Sequence, residues 1–229
     1  MNYQEAKNII GNCDILDIKN PLEGSLGANL PWIIKEIVDT VPKNQPISIA
    51  IGDVPNLPGT ISLSVLGALR FKPDYIKIGL KGLKTKKEAI NLMSKVVKTV
   101  RNFNPTTKIV AVGYADYKLI KSIHPLDIPD IAKKSGADAG MLDTAIKNGK
   151  TLLNIMSTNE LKEFVASCRA KKLLTALAGS LDKQNIKEIK DIGAEIFGVR
   201  GAVCLKKERT SHMSSGLAKN LYRCIKAIH

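Results

Sequence analysis

The sequence predicts an α/β fold, a (β/α)8 TIM-type barrel that forms a single domain over residues 1–229 and lacks its first β-strand. Short apolar segments recur about every thirty residues along the chain, which is the length of one strand–helix unit. Helical patterns lie between them, and such alternation is typical of parallel strands covered by helices. No linker or low-complexity segment divides the chain, so one domain is expected.

Seven segments are predicted to be strands, one fewer than a closed barrel of this type contains. They are Ile15–Lys19, Ile47–Ile51, Tyr75–Gly79, Lys108–Gly113, Ala139–Asp143, Lys172–Leu177 and Ile196–Arg200. A helical pattern over residues 2–10 comes before all of them, which indicates that the first strand is missing. Because two unpaired edges would then face each other across a gap, we expect a version extended upstream by a short apolar strand to be more stable and more active.

Capping patterns predict where the intervening helices begin. Asn29 is placed to cap a helix that carries Trp32 on its apolar face. Thr85 and Ser157 each begin a capping box, and Asp182 is placed to cap the next helix. An open doubly wound sheet is the alternative architecture, although the glycine-rich first turn typical of that fold is missing.

The positive charge of the chain has two explanations, a lysine-rich solvated surface or an anionic ligand. The formal net charge is +14, which suits either a phosphorylated metabolite or nucleic acid. No nucleic-acid-binding motif accompanies the lysines near residues 81–87, so we expect no nucleic-acid partner. A basic nucleic-acid-binding protein remains the non-enzymatic alternative, and it would bind polyanions with a steep salt dependence.

The remaining composition predicts where the protein is located and whether it binds a metal. The four cysteines show no CxxC pairing and are expected to be reduced cytosolic thiols. The three histidines have no metal-ligand partner at useful spacing, so no metal site is expected. No apolar run is long enough to span a membrane and no signal peptide precedes the first helix, so a cytoplasmic location without membrane contact is predicted.

Two lysines, Lys19 and Lys77, stand inside predicted strands. Ammonium groups are rare in such positions because an unpaired buried charge is costly. A lysine in a poorly solvated site near other cations has a lowered pKa and can attack a carbonyl to form a Schiff base. The two lysines therefore predict carbonyl or aldol chemistry on a small-molecule substrate.

The alternation of side chains along a strand predicts which residues face the barrel lumen. Asp17 and Lys19 share one face, because the apolar residues at positions 16 and 18 belong under helices. The same argument directs Lys77 and Asp143 into the lumen, near the carboxyl ends of strands where barrel enzymes assemble their sites. A buried ion network that only supports the barrel is the alternative.

Lys147 lies four residues after Asp143 in the sequence. If this segment turns helical after the strand, the two side chains can pair. An exposed helical lysine is the alternative for Lys147.

The loops after the last two strands predict a phosphate site. Gly179 and Ser180 follow the sixth predicted strand, and Arg200 and Gly201 follow the seventh. Small residues let backbone amides approach an anion, and barrels often bind phosphate with these two loops. Arg200 would add a bidentate contact.

Five sequence blocks lie at or beside these predicted sites. They are Asp17–Pro21 with Glu23–Asn29, Gly52–Pro55 with Pro58–Thr60, Tyr75–Leu80, Gly140–Ala145 and Gly198–Ala202. Together they closely resemble the signature of the archaeal (5-formylfuran-3-yl)methyl phosphate synthases, from about Asp14 to the C-terminus. Members of that family begin with a short strand of the Leu-Leu-Ile-Ser-Pro kind, and this chain lacks it.

The resemblance implies a barrel enzyme of methanofuran biosynthesis. Such an enzyme makes a phosphorylated furan aldehyde from two molecules of glyceraldehyde 3-phosphate, with no metal and no organic cofactor. By the same resemblance, Lys19 is the Schiff-base lysine, Lys77 transfers protons, and Asp143 and Lys147 are further active-site residues. An ordinary class I aldolase or a triose-phosphate isomerase-like barrel is the enzymatic alternative. The oligomeric state, including a homo-oligomer, is left open.

Overall fold

One parallel sheet of seven strands organises the computed structural model, which describes residues 1–53 and 55–227. The strands are β1 (Leu16–Ile18), β2 (Ile47–Asp53), β3 (Tyr75–Gly79), β4 (Lys108–Tyr114), β5 (Ala139–Asp143), β6 (Leu174–Ala178) and β7 (Ile196–Gly198). Each strand pairs in parallel with the next one along the chain, so β1 and β7 form the two edges of the sheet in the described residues. All seven predicted strands are present, with ends within two residues of those predicted.

Helices connect the strands. In the described residues they are α1 (Tyr3–Ile9), α2 (Pro31–Val38), α3 (Pro58–Leu69), α4 (Lys86–Phe103), α5 (Ile128–Ser135), α6 (Leu152–Ile155), α7 (Thr158–Ala170), α8 (Ile186–Ile192) and α9 (Ser215–Ala227). For example, α3 packs on β2, α5 packs on β4 and β5, and α7 packs on β6. This is the covering of a parallel sheet that repeated strand–helix units predict.

Apolar side chains cover the helix-facing side of the sheet. This outer layer includes Leu16, Ile18, Ile49, Ile76, Ile78, Ile109, Leu142 and Leu177, which belong to the main hydrophobic cluster. Each of these eight side chains is fully enclosed, and they alternate along their strands with residues of the opposite face. The helices therefore seal one face of every strand from β1 to β6.

A second, smaller cluster fills the lumenal face of the sheet. It contains Ala50, Val110, Val112, Tyr114, Ala139, Met141, Ala176 and Ala178, together with Leu26 from the loop after β1. Many of these side chains are small, which leaves room for Lys77 and Asp143 on the same face. The parallel strands bring all their carboxyl ends to one rim, called the mouth below.

The helix caps agree only partly with the sequence predictions. Capping boxes form at Thr85 and Ser157, as predicted. Asn29 does not cap α2, which begins after Leu30 without a side-chain cap, and Trp32 is 67% exposed rather than part of the buried face. The reason is a tertiary contact, because the Asn29 amide donates instead to the carbonyl oxygen of Met1 at 2.5 Å.

Candidate active site

Lys19 immediately follows β1, and the loop after it folds back toward its side chain. Asn20 caps a short 3-10 turn over Pro21–Glu23, and its backbone N–H donates to the carbonyl oxygen of Gly27 at 2.8 Å. A Cβ on Gly27 would overlap the Asn20 carbonyl oxygen, so the closed loop requires glycine there. The loop brings the carbonyl oxygen of Ser25 within 3.1 Å of Lys19 Nζ, which donates to it.

Lys77 extends into the lumen from the middle of β3 and is 7% exposed. Its Nζ donates to Asp17 Oδ2 at 2.6 Å, across the intervening strand β2. The contact places both side chains on the lumenal face, as the alternation argument predicts. The Asp17 side chain is 33% exposed, but its Oδ1 is buried and has no hydrogen-bond partner in the described residues; its Oδ2 compensates the nearly buried ammonium group.

Asp143 and Lys147 form a second ion pair at the mouth. Lys147 Nζ donates to Asp143 Oδ1 at 2.7 Å and to Thr144 Oγ1 at 2.9 Å. The Asp143 side chain is almost fully buried, and Lys147 is 16% exposed, so Lys147 is not a surface lysine. The predicted pair therefore forms, but the predicted helical turn does not, because residues 144–150 form an irregular loop.

Asp116 explains how an irregular loop can position Lys147. Its buried carboxylate accepts hydrogen bonds from the backbone N–H groups of Ala145 (2.8 Å) and Ile146 (2.7 Å). These contacts substitute for the hydrogen bonds that a helix would have supplied. Sequence reasoning missed Asp116, since a single aspartate after β4 gives no signal of the loop that it will meet.

The surroundings of Lys19 favour its neutral amine. Burial lowers the pKa of Lys19 to about 8, and the nearby ammonium groups of Lys77 and Lys147 add to this effect. Asp143 and Asp17 act in the opposite direction. A lysine with such a pKa is deprotonated far more often at neutral pH than an ordinary lysine, as nucleophilic attack requires.

The two carboxylates of the site stay ionised despite their enclosure. Burial alone would raise the pKa of Asp17, but the ammonium groups of Lys77 and Lys19 bring it below its ordinary value. Burial also acts to raise the pKa of Asp143, and Lys147 and Lys19 outweigh it. The mouth therefore holds three lysines and two carboxylates whose charges act on one another.

The loop after β6 has a backbone conformation that lets another group approach it closely. Gly179 has φ = +121°, and a Cβ there would lie only 3.0 Å from the methyl group of Thr144. Ser180 also has a positive φ, of +53°, and is exposed. Gly198 at the end of β7 pairs in register with Ala178 at the end of β6, so the loops that follow these two strands are neighbours.

Arg200 is buried and already has hydrogen-bond partners in the protein, unlike an arginine whose only role is to contact phosphate. Its Nη2 donates to Glu5 Oε1 at 3.0 Å and its Nε donates to the carbonyl oxygen of Arg209 at 2.6 Å. Its Nη1 is buried and has no hydrogen-bond partner among the described residues. Gly201 follows directly and begins a 3-10 turn over Gly201–Val203. Arg200 therefore joins α1 to the loop after β7 and keeps one donor free.

Two more groups at the mouth escaped sequence reasoning. Arg209, in the loop after β7, donates from Nη2 to the carbonyl oxygen of Gly24 at 2.9 Å. Asp53, the last residue of β2, accepts a short hydrogen bond from the hydroxyl group of Tyr114 at the end of β4. The only sequence signal for Asp53 was its place in the Gly52–Pro55 block, of which Val54 lies outside the described residues.

The described part of the chain contains neither a cluster of metal ligands nor a membrane-spanning helix. In residues 1–53 and 55–227, no group of three His, Cys, Asp or Glu side chains is arranged to hold a metal ion. Over the same residues, no helix has both the length and the apolar character that crossing a membrane requires.

Comparison with known proteins identifies the family of this chain. The family model described as 4-HFC-P synthase matches residues 1–222. The chain belongs to this family. A (5-formylfuran-3-yl)methyl phosphate synthase of Methanocaldococcus jannaschii is 47% identical over 212 residues, which cover 92% of this chain and 90% of that protein. The protein of the same name from Methanobrevibacter smithii is 44% identical, with the same coverage of each chain.

Membership of the 4-HFC-P synthase family shows that the chain is an enzyme, and solved structures of other proteins support its fold. A structure of 3-hexulose-6-phosphate synthase superposes with a TM-score of 0.64 at 16% identity, covering 97% of this chain and 92% of that one. A protein titled QR15, an aldolase, gives 0.60 at 13% identity, covering 91% and 94%. These similarities concern the fold alone, and they confirm the predicted α/β barrel class, here with a curled parallel sheet of seven strands.

Proposed function

We propose that this chain synthesises (5-formylfuran-3-yl)methyl phosphate for methanofuran biosynthesis by joining two molecules of glyceraldehyde 3-phosphate through a Schiff base on Lys19. The family and the names of its relatives support the product. The observation that carries the chemistry is the setting of Lys19 at the mouth, where burial and the charges of Lys77 and Lys147 favour its neutral amine. No metal or organic cofactor takes part in the proposed reaction.

The proposed reaction begins with the attack of Lys19 Nζ on the aldehyde carbon of one triose phosphate. Water leaves, and the resulting iminium group withdraws electrons from the neighbouring carbon. The Lys77 ammonium group protonates the departing hydroxide, and the neutral amine that remains takes a proton from that carbon. The enamine so formed attacks the aldehyde of the second triose phosphate. Loss of inorganic phosphate and water, ring closure, and hydrolysis of the imine, which restores the Lys19 amine, then give the furan aldehyde phosphate. Overall, two triose phosphates lose one phosphate and two molecules of water.

The two ion pairs supply the groups that the proton transfers need. Asp17 holds the Lys77 ammonium group at 2.6 Å, and Asp143 holds that of Lys147 at 2.7 Å. Each carboxylate fixes the position of its lysine and stabilises the positive charge left after a proton is gained. Since Lys147 is held by Asp143 and Thr144 together, it can present its proton in one direction.

Phosphate binding is proposed for the loops after β6 and β7. Gly179 and Ser180 supply backbone at positive φ, and Arg200 and Gly201 lie in the neighbouring loop. The free Nη1 of Arg200 is a donor without a partner among the described residues, and a buried donor in this state is costly unless a ligand satisfies it. A phosphate oxygen would be a suitable acceptor.

We expect the formation of the imine to follow the pKa of Lys19. The amine attacks only when it is neutral, so the initial rate of borohydride trapping should rise as the pH rises through about 8. Trapping is measured over a pH series, with a free lysine derivative as the reference amine. A midpoint at the ordinary pKa of lysine, about 10.4, would contradict the activation of Lys19 by its surroundings.

Removal of the Arg200 side chain is expected to weaken the binding of phosphorylated substrate. The Arg200→Ala variant should lose roughly 1.5–3 kcal/mol of binding free energy, the range of a charge-assisted hydrogen bond. The variant should also unfold more easily, because Glu5 would lose its hydrogen-bonded ion pair with Arg200 and keep only the Met1 ammonium group, at 3.7 Å, as a charged partner. Both quantities are measured, by titration with inorganic phosphate and by thermal unfolding.

A second substitution separates these two effects of Arg200. The double variant Glu5→Gln/Arg200→Ala also removes the buried carboxylate that has lost Arg200, so stability should recover in part while phosphate affinity stays low. Glu5→Gln alone keeps Arg200 and should bind phosphate almost as the native chain does. Native affinity in the double variant would place the phosphate elsewhere.

A single reaction tests the proposed function as a whole. The native chain is incubated with glyceraldehyde 3-phosphate, and the products are identified by mass spectrometry and NMR. The furan aldehyde phosphate and free phosphate are expected together. A simple aldol adduct or dihydroxyacetone phosphate as the only product would favour the aldolase or isomerase alternative.

A further inference from the structure

Asp53 and Tyr114 form a hydrogen-bonded pair at the mouth that the proposed reaction has not used. The Tyr114 hydroxyl group donates to Asp53 Oδ1 across the end of β3. Tyr114 is 1% exposed and belongs to the lumenal cluster, so its ring is locked by packing. The ring therefore fixes the direction in which the Asp53 carboxyl group points.

Gly79 makes the contact between Asp53 and Tyr114 sterically feasible. It is the last residue of β3, and β3 lies between β2 and β4 in the sheet. A Cβ at position 79 would overlap Asp53 Oδ1 and would lie 2.6 Å from the Tyr114 hydroxyl oxygen. Any larger residue would therefore push the pair apart, and the end of β3 is shaped around it.

The other oxygen of Asp53 is directed toward the loop that holds Lys19. Asp53 Oδ2 would lie 3.6 Å from a Cβ on Gly24, which is next to Ser25, the residue whose carbonyl oxygen accepts from Lys19 Nζ. Among the backbone and side-chain groups that the structure describes, none donates a hydrogen bond to Oδ2, and Oδ2 is not a fully enclosed atom. It is thus free to contact a molecule bound at the mouth.

From this geometry we propose that Asp53 is a further catalytic base of the same active site, positioned by Tyr114, and that it removes carbon-bound protons during the elimination steps. The proposal rests on the proposed function, because it concerns the substrate bound as an imine on Lys19. Lys77 would then take the proton whose removal forms the first enamine, and Asp53 would take the proton that is removed in the later loss of water.

Asp53 and Lys147 act together in the proposed elimination step. Asp53 Oδ2 takes a proton from carbon, and the electron pair of the broken C–H bond forms a carbon–carbon double bond. The C–O bond on the adjacent carbon breaks, and the departing hydroxide takes a proton from the Lys147 ammonium group and leaves as water. The proton on Asp53 then passes to the neutral Lys147 amine through solvent at the mouth, which restores both groups.

The electrostatic setting suits a base of this kind. Burial raises the pKa of Asp53 above its ordinary value and Asp143 adds to the rise, while the hydrogen bond from Tyr114 and the charges of Lys81 and Lys147 oppose it. A carboxylate with a raised pKa is a stronger base than an exposed one. The pKa of Tyr114 is raised well above its usual range, mainly by burial, so its hydroxyl group remains a donor.

The first test replaces the base without changing its shape. Asp53→Asn keeps the side-chain volume and can still meet Tyr114, but it cannot take a proton. We expect native borohydride trapping at Lys19 with glyceraldehyde 3-phosphate, together with a loss of at least about 100-fold in furan formation. The matched control is Asp39→Asn at the exposed residue that follows α2, which should trap and turn over as the native chain does.

The second test uses a readout that a purely structural role would not move. In the bound complex Lys19 is already an imine, so the low-pH limb of kcat reports the bases that remain, Lys77 and Asp53. The titratable groups near Asp53 are Lys81, Asp143, Lys147 and Tyr114. Tyr114→Phe removes the hydrogen bond that lowers the pKa of Asp53. The limb should therefore move to higher pH, whereas Tyr117→Phe, on a ring that packs against His124, should leave it in place.

The outcomes separate the two proposals. Native furan formation in Asp53→Asn, or a pH limb in Tyr114→Phe that coincides with the native limb, would overturn the role of Asp53. If Asp53→Asn does not fold, the position of the limb in Tyr114→Phe decides alone. If the native chain itself forms no imine, the Schiff-base function is wrong and the role of Asp53 is wrong with it, whereas intact trapping with lost turnover supports both.

Discussion

Replacement of Lys19 with arginine is expected to abolish covalent trapping of glyceraldehyde 3-phosphate by borohydride. Arginine keeps the positive charge beside Asp143 and Asp17, so the electrostatic balance of the mouth changes little. The guanidinium group stays protonated and cannot form an imine. Trapping is followed by intact mass spectrometry, and peptide mapping locates the label in the native chain. Furan formation should fall below detection in the same variant.

The control for Lys19→Arg is Lys35→Arg, on the exposed face of α2. Lys35 pairs with Asp39 in solvent, and arginine can preserve that contact. This variant should trap substrate as the native chain does. If the reduced adduct of the native chain maps to Lys77 or to a surface lysine, the assignment of the Schiff base to Lys19 is wrong.

Loss of Lys77 is expected to separate imine formation from turnover. Lys77→Ala should still form an imine on Lys19, because the nucleophile and its loop remain. Turnover should fall by about 10²–10⁴-fold, the usual contribution of a positioned proton-transfer group. The change also removes one of the cations that lower the pKa of Lys19, so trapping should reach its midpoint at a somewhat higher pH. Trapping and furan formation are measured on the same samples.

At Lys77, a loss of stability must be distinguished from a loss of proton transfer. In Lys77→Ala the carboxylate of Asp17 loses its hydrogen-bonded partner at 2.6 Å. The variant Asp17→Asn/Lys77→Met removes that unpaired charge and fills the lumen with a side chain of similar length. It should unfold near the native temperature and still fail to turn over. Native turnover in either variant would exclude Lys77 as the proton-transfer group.

Much of the site was predictable from local sequence because strand geometry is regular. Side chains alternate along a strand, so the inward direction of Asp17 and Lys77 followed from the apolar residues between and beside them. Parallel strands place their carboxyl ends at one rim, so residues far apart in sequence could be assigned to one mouth. These two rules place Asp17 and Lys77 on the lumenal face, where the structure brings them into contact.

Loop geometry was less predictable than strand geometry. Lys147 pairs with Asp143 as predicted, but through a loop that the distant Asp116 holds, rather than through a helical turn. In the same way, Asn29 suits a helix cap by its type, yet its amide binds the Met1 carbonyl oxygen. In both cases a hydrogen bond between distant segments outweighed the local preference. A local preference such as that of a residue for the helix cap is worth only about 1 kcal/mol.

By itself, the sequence determined the family, the alternation of strands and helices, and the lysines and carboxylates that meet at the mouth. Only the tertiary structure decided how these groups act on one another. The pKa of Lys19 depends on burial and on charges from three other strands or loops. Arg200 is tied to Glu5 of α1, and Asp53 meets Tyr114 across the bare backbone of Gly79. Such contacts join residues separated by about sixty to two hundred positions, and no local pattern encodes them because hydrogen bonds and charges act through space.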